Sequence, residues 1–161
     1  MSLAEFFRLI DAPPANAGAS ETDILAAEAR LGGRLPDALR FWFREADGFP
    51  GEAGECMWRF WSLEELHAID KIFPDARSIG ISQQDGSVRQ VPGCEYVVFC
   101  DALIYLPLYA VNIRADGLHF GEVILVFAGP PPNAYFVAAD FERFAAFLFE
   151  HPGDSLLFPE G

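Results

Sequence analysis

Cations are scarce in this chain. Lys71 is the only lysine in 161 residues, and 11 bases face 24 acids for a net charge of −13. Nucleic-acid binding needs clustered Lys and Arg to displace counterions, so that class is excluded; an anionic membrane surface repels such a protein for the same reason. Cysteine is sparse as well. Cys56, Cys94 and Cys100 are an odd number without metal-type spacing, which reads as reduced, partly buried thiols in a cytoplasmic protein. The three histidines, His67, His119 and His151, lie outside any motif, and no G-x-S-x-G elbow presents a nucleophile. No H-x-x-x-H, C-x-x-C or Asp-rich calcium loop occurs, and no glycine-rich loop carries the lysine that phosphate binding requires. No catalytic residue, metal or cofactor is therefore expected, with carboxylates that only folding brings together as the route left open. Long apolar runs are missing too: Leu103 to Ile113 is broken by Pro107, holds Asn112 and is too short to span a bilayer as a helix. No basic segment followed by an apolar one opens the chain, so no export signal is read.

Apolar residues make up 52% of the chain, Phe alone contributing 16, which suits one domain with its own core and argues against disorder. Met1-Ser2-Leu3 and Glu160-Gly161 are given no structural weight, as ends that cloning can leave behind. Residues 3–10 place Leu3, Phe6, Phe7 and Ile10 on one helical face, and the Pro-rich stretch Asp11–Gly18 ends that helix. Ser20 then caps a helix with Asp23 at N3, and Ile24, Ala27, Glu28 and Leu31 form its inner stripe. Gly32 supplies a left-handed stop. Pro36 opens the next helix in its first turn, Leu39, Trp42, Phe43 and Ala46 face inward, and Asp47-Gly48 ends it.

Phe49–Cys56 reads as a loop and Met57–Trp61 as a strand. Ser62-Leu63-Glu64-Glu65 is a full capping box, predicting a short helix to about Ile69. Short strands are expected at 79–81 and 88–91 around a turn at Gln84–Ser87, and stronger ones at Tyr96–Cys100, Ile104–Ile113 and Glu122–Phe127. Asp116-Gly117 is a hairpin signal, while Pro107 pushes part of its strand to an edge or bulge. After the stiff loop Gly129–Pro132 and a strand at Tyr135–Ala138, Asp140 caps a last helix with Phe141, Phe144, Ala145 and Leu148 inward, stopped by Pro152-Gly153. Helices, then strands, then a helix give an α+β fold: a single domain over residues 1–161, with helices packed around a twisted, mostly antiparallel sheet.

Two readings of Glu28 compete. As a carboxylate on a buried stripe it is either a general base or a brace that pairs with an Arg or with the amides of the Gly32–Leu35 turn; the brace is favoured. Asp101, at a strand end, is a turn cap or a contact residue. Strand alternation sets Trp58, Phe60 and Ser62 on one face and Arg59 and Trp61 on the other, so one face is expected to expose a tryptophan as an interface anchor. Acidity concentrates here: residues 45–75 hold eight acids and two bases, a net of −6, against −1 for residues 1–44. Solvated surface is the default explanation, and docking of a basic protein is the sharper one.

The run Ile24-x-x-x-Glu28-x-x-Leu31-Gly32-x-x-Leu35-Pro36-x-x-Leu39, continuing through Phe43 to Asp47-Gly48, resembles the opening of the SUKH superfamily. Trp61-Ser62-Leu63-Glu64-Glu65-Leu66, Val98-Phe99-Cys100-Asp101 and Val137–Phe144 agree with it, so the resemblance spans about residues 20–149. Residues 1–19 then form an N-terminal helix and loop, and 150–161 a tail. The resemblance implies an α+β fold and, in bacterial members, a cytoplasmic, non-enzymatic immunity protein that binds a cognate toxin, often a nuclease; fungal members regulate cell-wall assembly. Asp47 stands where the family often has Asn, and Ala102 where bacterial members often have an aromatic residue. Partner contact is expected at Asp47, Glu52, Glu55, Trp58, Trp61, Glu64, Glu65 and Asp101, with Glu28, Leu31, Gly32, Leu35, Pro36 and Gly48 as architecture. A regulatory scaffold or small-ligand-binding domain is the alternative, and a small hydrolase the third reading.

Overall fold

The computed structural model describes residues 2–12, 14–49, 58–102, 107–129 and 132–151. Glu52, Glu55, Cys56, residues 103–106 of the expected middle strand, residues 130–131 of the Gly129–Pro132 loop and the Pro152-Gly153 stop lie outside them.

Local capping chemistry starts the helices. Ser20 accepts the Asp23 amide while the Asp23 carboxylate accepts the Ser20 N–H at 3.0 Å, opening α2 (Glu21–Leu31), which Gly32 closes at φ 76°. Pro36 stands at the N-cap of α3 (Asp37–Glu45), just before the first turn rather than within it. The first residues carry more than expected: Ser2 and Glu5 make a capping box on α1 (Leu3–Leu9), and Leu3 is buried. Asp140 accepts the Arg143 amide at 2.8 Å to cap α5 (Phe141–Glu150).

Among the described residues the strands are β1 (Trp58–Phe60), β2 (His67–Ala68), β3 (Ser78–Ser82), β4 (Val88–Pro92), β5 (Tyr96–Ala102), β6 (Pro107–Asn112), β7 (Val123–Phe127) and β8 (Asn133–Ala138), with a short helix α4 at Ile69–Ile72. They form one sheet in the order β1-β5-β6-β7-β8-β3-β4, with β2 also on β5; every pair is antiparallel except β3–β8. The chain is thus α+β, helices on a mostly antiparallel sheet, as its element order predicts. None of its described helices is long and apolar enough to cross a membrane.

Two local readings give way to the sheet. Pro107 does not make an edge: β6 is flanked by β5 and β7, and proline is tolerated because it is the strand's first residue. Register shifts fall instead between Val98 and Cys100 of β5 and between Val123 and Ile124 of β7. The helix predicted from Ser62 is also absent. Phe60 pairs with Cys100, and His67 pairs with Val98, so both flanks of the segment are strung along one edge of β5. Glu65 still accepts the Ser62 amide at 2.8 Å, but that bond closes a single turn before Ala68 is drawn into the sheet, and the helix begins only at Ile69.

The core lies between the sheet and α1, α3 and α5. Phe6, Trp42, Phe60, Phe99, Phe141 and Phe144 meet there edge-on or tilted, at centroid distances of 5.0–6.0 Å. A small aromatic- and aliphatic-lined cavity sits between Leu3, Phe7, Trp42, Phe60, Trp61 and Phe99.

Candidate functional site

Residues 61–66 leave the sheet edge as a short excursion between β1 and β2, and the helix pair holds it on both flanks. From α2, Arg30 donates to the Leu66 carbonyl at 2.9 Å and the Leu63 carbonyl at 2.7 Å. From the end of α3, the Asp47 carboxylate accepts the Leu63 amide at 2.7 Å, while Asn16 donates to the Asp47 carbonyl at 2.8 Å. The excursion's apolar residues, Leu63 and Leu66, are buried beneath it, leaving Glu64 exposed and Glu65 half-buried. Asp70 and Asp75, half-buried and exposed, follow within ten residues of Glu65.

The tryptophans are corrected by the structure. Trp58 and Trp61 are only 7% and 9% exposed, so neither presents the interface anchor expected from strand alternation. Trp58 stacks on Phe60 and lies against Tyr109. Trp61 turns inward just past the end of β1, where its Nε1–H donates to Asp101 Oδ2 at 2.6 Å. Asp101 is 2% exposed, an internal acceptor rather than a surface carboxylate. Arg59 pairs with Glu65, lies 3.9 Å from Asp101 Oδ2 and covers the Trp61 ring at 5.8 Å. The one arginine of residues 45–75 is therefore engaged by neighbouring acids, and the segment keeps its negative field.

Glu28 has the two partners named for a brace. Its Oε1 accepts the Leu35 amide at 2.9 Å and lies 3.3 Å from Arg40 Nε, tying α2 to the turn and to α3. Leu35 and Pro36 are buried, Leu31 is half-buried, and Gly48 takes φ 66°.

Burial pushes the Asp47 carboxyl above its ordinary 3.8, against the Leu63 amide, which favours the ionised form; Asp23, Glu64 and Glu65 add to the rise. Ionised Asp47 is thus disfavoured more in the folded than in the unfolded chain. That handicap is complete above the folded pKa and vanishes as pH falls below the unfolded one. Asp47→Asn, which keeps the acceptor for Leu63, is expected to melt higher than the parent at pH 7, with the gap closing near pH 3.5. Thermal melts at the two pH values test this; an equal gap at both would mean that ionisation is not the cause.

A second polar cluster was not legible in the sequence. Glu122 is 4% exposed, accepts the Tyr96 hydroxyl at 2.6 Å, pairs with Arg89 and lies 3.4 Å from His119 Nδ1. Burial, with the bond to Glu122, raises the Tyr96 phenol above its usual range. Burial opposes charge on Arg89, but Glu122 and Tyr96 outweigh it and hold the guanidinium above its ordinary value. The only local hint was a charged residue heading the apolar run of β7. The described residues contain no group of three His, Cys, Asp or Glu able to hold a metal. Cys94 is exposed and Cys100 is buried.

The family model described as SMI1 / KNR4 family (SUKH-1) matches residues 18–146. No curated protein matches the chain.

Proposed function

The chain belongs to the SMI1/KNR4 (SUKH-1) family, and from that premise we propose that it is a non-enzymatic immunity protein that occludes a cognate basic toxin, such as a nuclease, with the acidic segment 45–75. The observation that carries this reading is the pinned excursion: Arg30 and Asp47 fix the backbone of residues 63–66, so Glu64 is offered to a partner on a preorganised loop. Its acids need no induced fit, and the nearby arginine is already paired. Complementary charge steers encounter and rejects acidic competitors. Buried Trp58, Trp61 and Asp101 support the loop from beneath; the contacts fall to Glu64, Glu65 and Asp47, with Glu52 and Glu55 in the adjoining segment. The protein acts in the cytoplasm, where a toxin's target would be shielded.

The reading predicts a toxin gene beside the coding sequence, whose product is the partner for the test and whose absence would count against immunity. Coexpression should restore growth. Glu64→Lys combined with Glu52→Lys and Glu55→Lys is expected to slow association by roughly tenfold or more, since removal of steering charges acts on the on-rate. The melting temperature should stay unchanged. Glu65 is left alone because it also holds Arg59 and the Ser62 amide. Binding and rescue that survive the triple reversal would remove the acidic segment from the mechanism.

A further inference from the structure

Of the five large hydrophobic residues exposed among the described ones, two, Leu25 and Phe41, lie on the α2–α3 pair. Glu28 reaches Arg40, and Glu21 reaches Arg40 and Arg44, so the helices run antiparallel with a row of ion pairs along their seam. Leu25 lies between Glu21 and Glu28 on α2, and Phe41 between Arg40 and Arg44 on α3. Both point outward, at 53% and 56% exposed. Ala26 and Ala29, exposed as well, extend the apolar strip along α2.

Charge decides what can cover this face. Residues 1–44 carry six acids and five bases, a net of −1, whereas residues 45–161 carry 18 acids and six bases, a net of −12. Two copies of the chain meeting through the second part oppose like charges, and a basic partner is drawn to that part rather than to the helix pair. Only the near-neutral helices let two copies approach without strong repulsion.

We propose that this face is the contact for a second copy of the chain, an isologous pairing of α2–α3 hairpins with Leu25 and Phe41 at its centre. Two helices of this length offer a face of roughly 16 by 20 Å, about 300 Å² per copy. A standard interface takes about 800 Å² per partner, so the dimer is weak and fills only at roughly micromolar concentration or above.

Sedimentation velocity on the purified chain, from low micromolar to near-millimolar concentration, tests the pairing. A concentration-dependent shift from monomer to dimer is expected. Because each copy carries −13, raising salt from about 0.1 to about 1 M, which shortens screening from roughly 10 to 3 Å, should strengthen the dimer. Leu25→Glu and Phe41→Glu should each raise the dissociation constant by roughly tenfold or more, the effect of losing an interface anchor. Leu118→Glu, at a fully solvated site 99% exposed, should leave it unchanged, and all three variants should melt with the parent. A monomer at every concentration, a dimer indifferent to both helix substitutions, or one that salt dissolves would each overturn the proposal. Salt acts in the opposite direction on docking of a basic partner, so the two surfaces are separable in one set of measurements.

Discussion

Glu122→Ala is expected to lower the unfolding free energy by about 3–5 kcal/mol, the cost of stripping one partner from a buried charged pair. The carboxylate is the shared acceptor for Arg89 from β4 and Tyr96 from β5, and it is itself almost wholly buried. Without it the guanidinium keeps its charge in a site only partly open to water, and the phenol loses its acceptor. Arg89 already has one buried guanidinium nitrogen, Nη1, without a hydrogen bond, so it has little capacity to find a substitute. For a chain of this size the loss corresponds to a fall in melting temperature of roughly 10 °C. Glu122→Gln retains an acceptor for Tyr96 and should fall between parent and Ala. Urea denaturation of the three proteins gives the order; a cost under about 1 kcal/mol for Glu122→Ala would mean that Arg89 reaches water and that the pair is not buried in solution.

Gly48→Ala should be nearly as severe, at about 3 kcal/mol. Part of the cost is conformational, since φ 66° is a left-handed value that a side chain makes unfavourable by roughly 1–2 kcal/mol. The rest is steric. A Cβ here would lie 2.5 Å from the Phe60 carbonyl oxygen, 2.8 Å from the Ser62 amide nitrogen and 2.8 Å from the Trp61 carbonyl carbon. All three are main-chain atoms at the start of the excursion, so relief requires moving that loop rather than rotating a side chain. The substitution should therefore weaken partner binding as well as stability. Gly32→Ala is the control: φ is similarly positive at 76°, but nothing lies within 4 Å of the added carbon, so only the conformational part should be lost. Equal losses at the two glycines would show that the close approach of Gly48 to β1 does not matter.

The helix pair was legible because its determinants are local. Ser20 with Asp23, and Gly32 after Leu31, decide their turns within a few residues of sequence. Glu28 was expected to meet an arginine or an amide of the Gly32–Leu35 turn, and the groups it meets, the Leu35 amide and Arg40, lie only 7 and 12 residues away. The excursion was misread because the same local logic meets a competitor at long range: Ser62–Glu65 has a real capping bond, yet β5, more than 30 residues further on, pairs with both flanks. The tryptophans were misplaced because alternation was carried past Phe60, where β1 ends: Trp58 shares the buried face of Phe60, and Trp61, beyond the strand, turns inward to an acceptor in Asp101, 40 residues away. The Glu122 cluster was invisible for a related reason. Its partners stand 26 and 33 residues off, and nothing in the local pattern distinguishes a buried glutamate from a loop acid before the fold brings Tyr96 and Arg89 to it.

The single parallel pairing in the sheet bears on how the protein is made. β3 zips to β4 across a tight turn as soon as both are synthesised, but its opposite edge is filled by β8, with Ile81 opposite Ala134. Over those intervening residues a nascent chain carries a hairpin whose second edge is unpaired, a template for wrong partners until the last strand arrives. Completion of the sheet must wait for nearly the whole domain to leave the ribosome, so folding should be slow and governed by this late, long-range closure rather than by the fast-forming helices at the start.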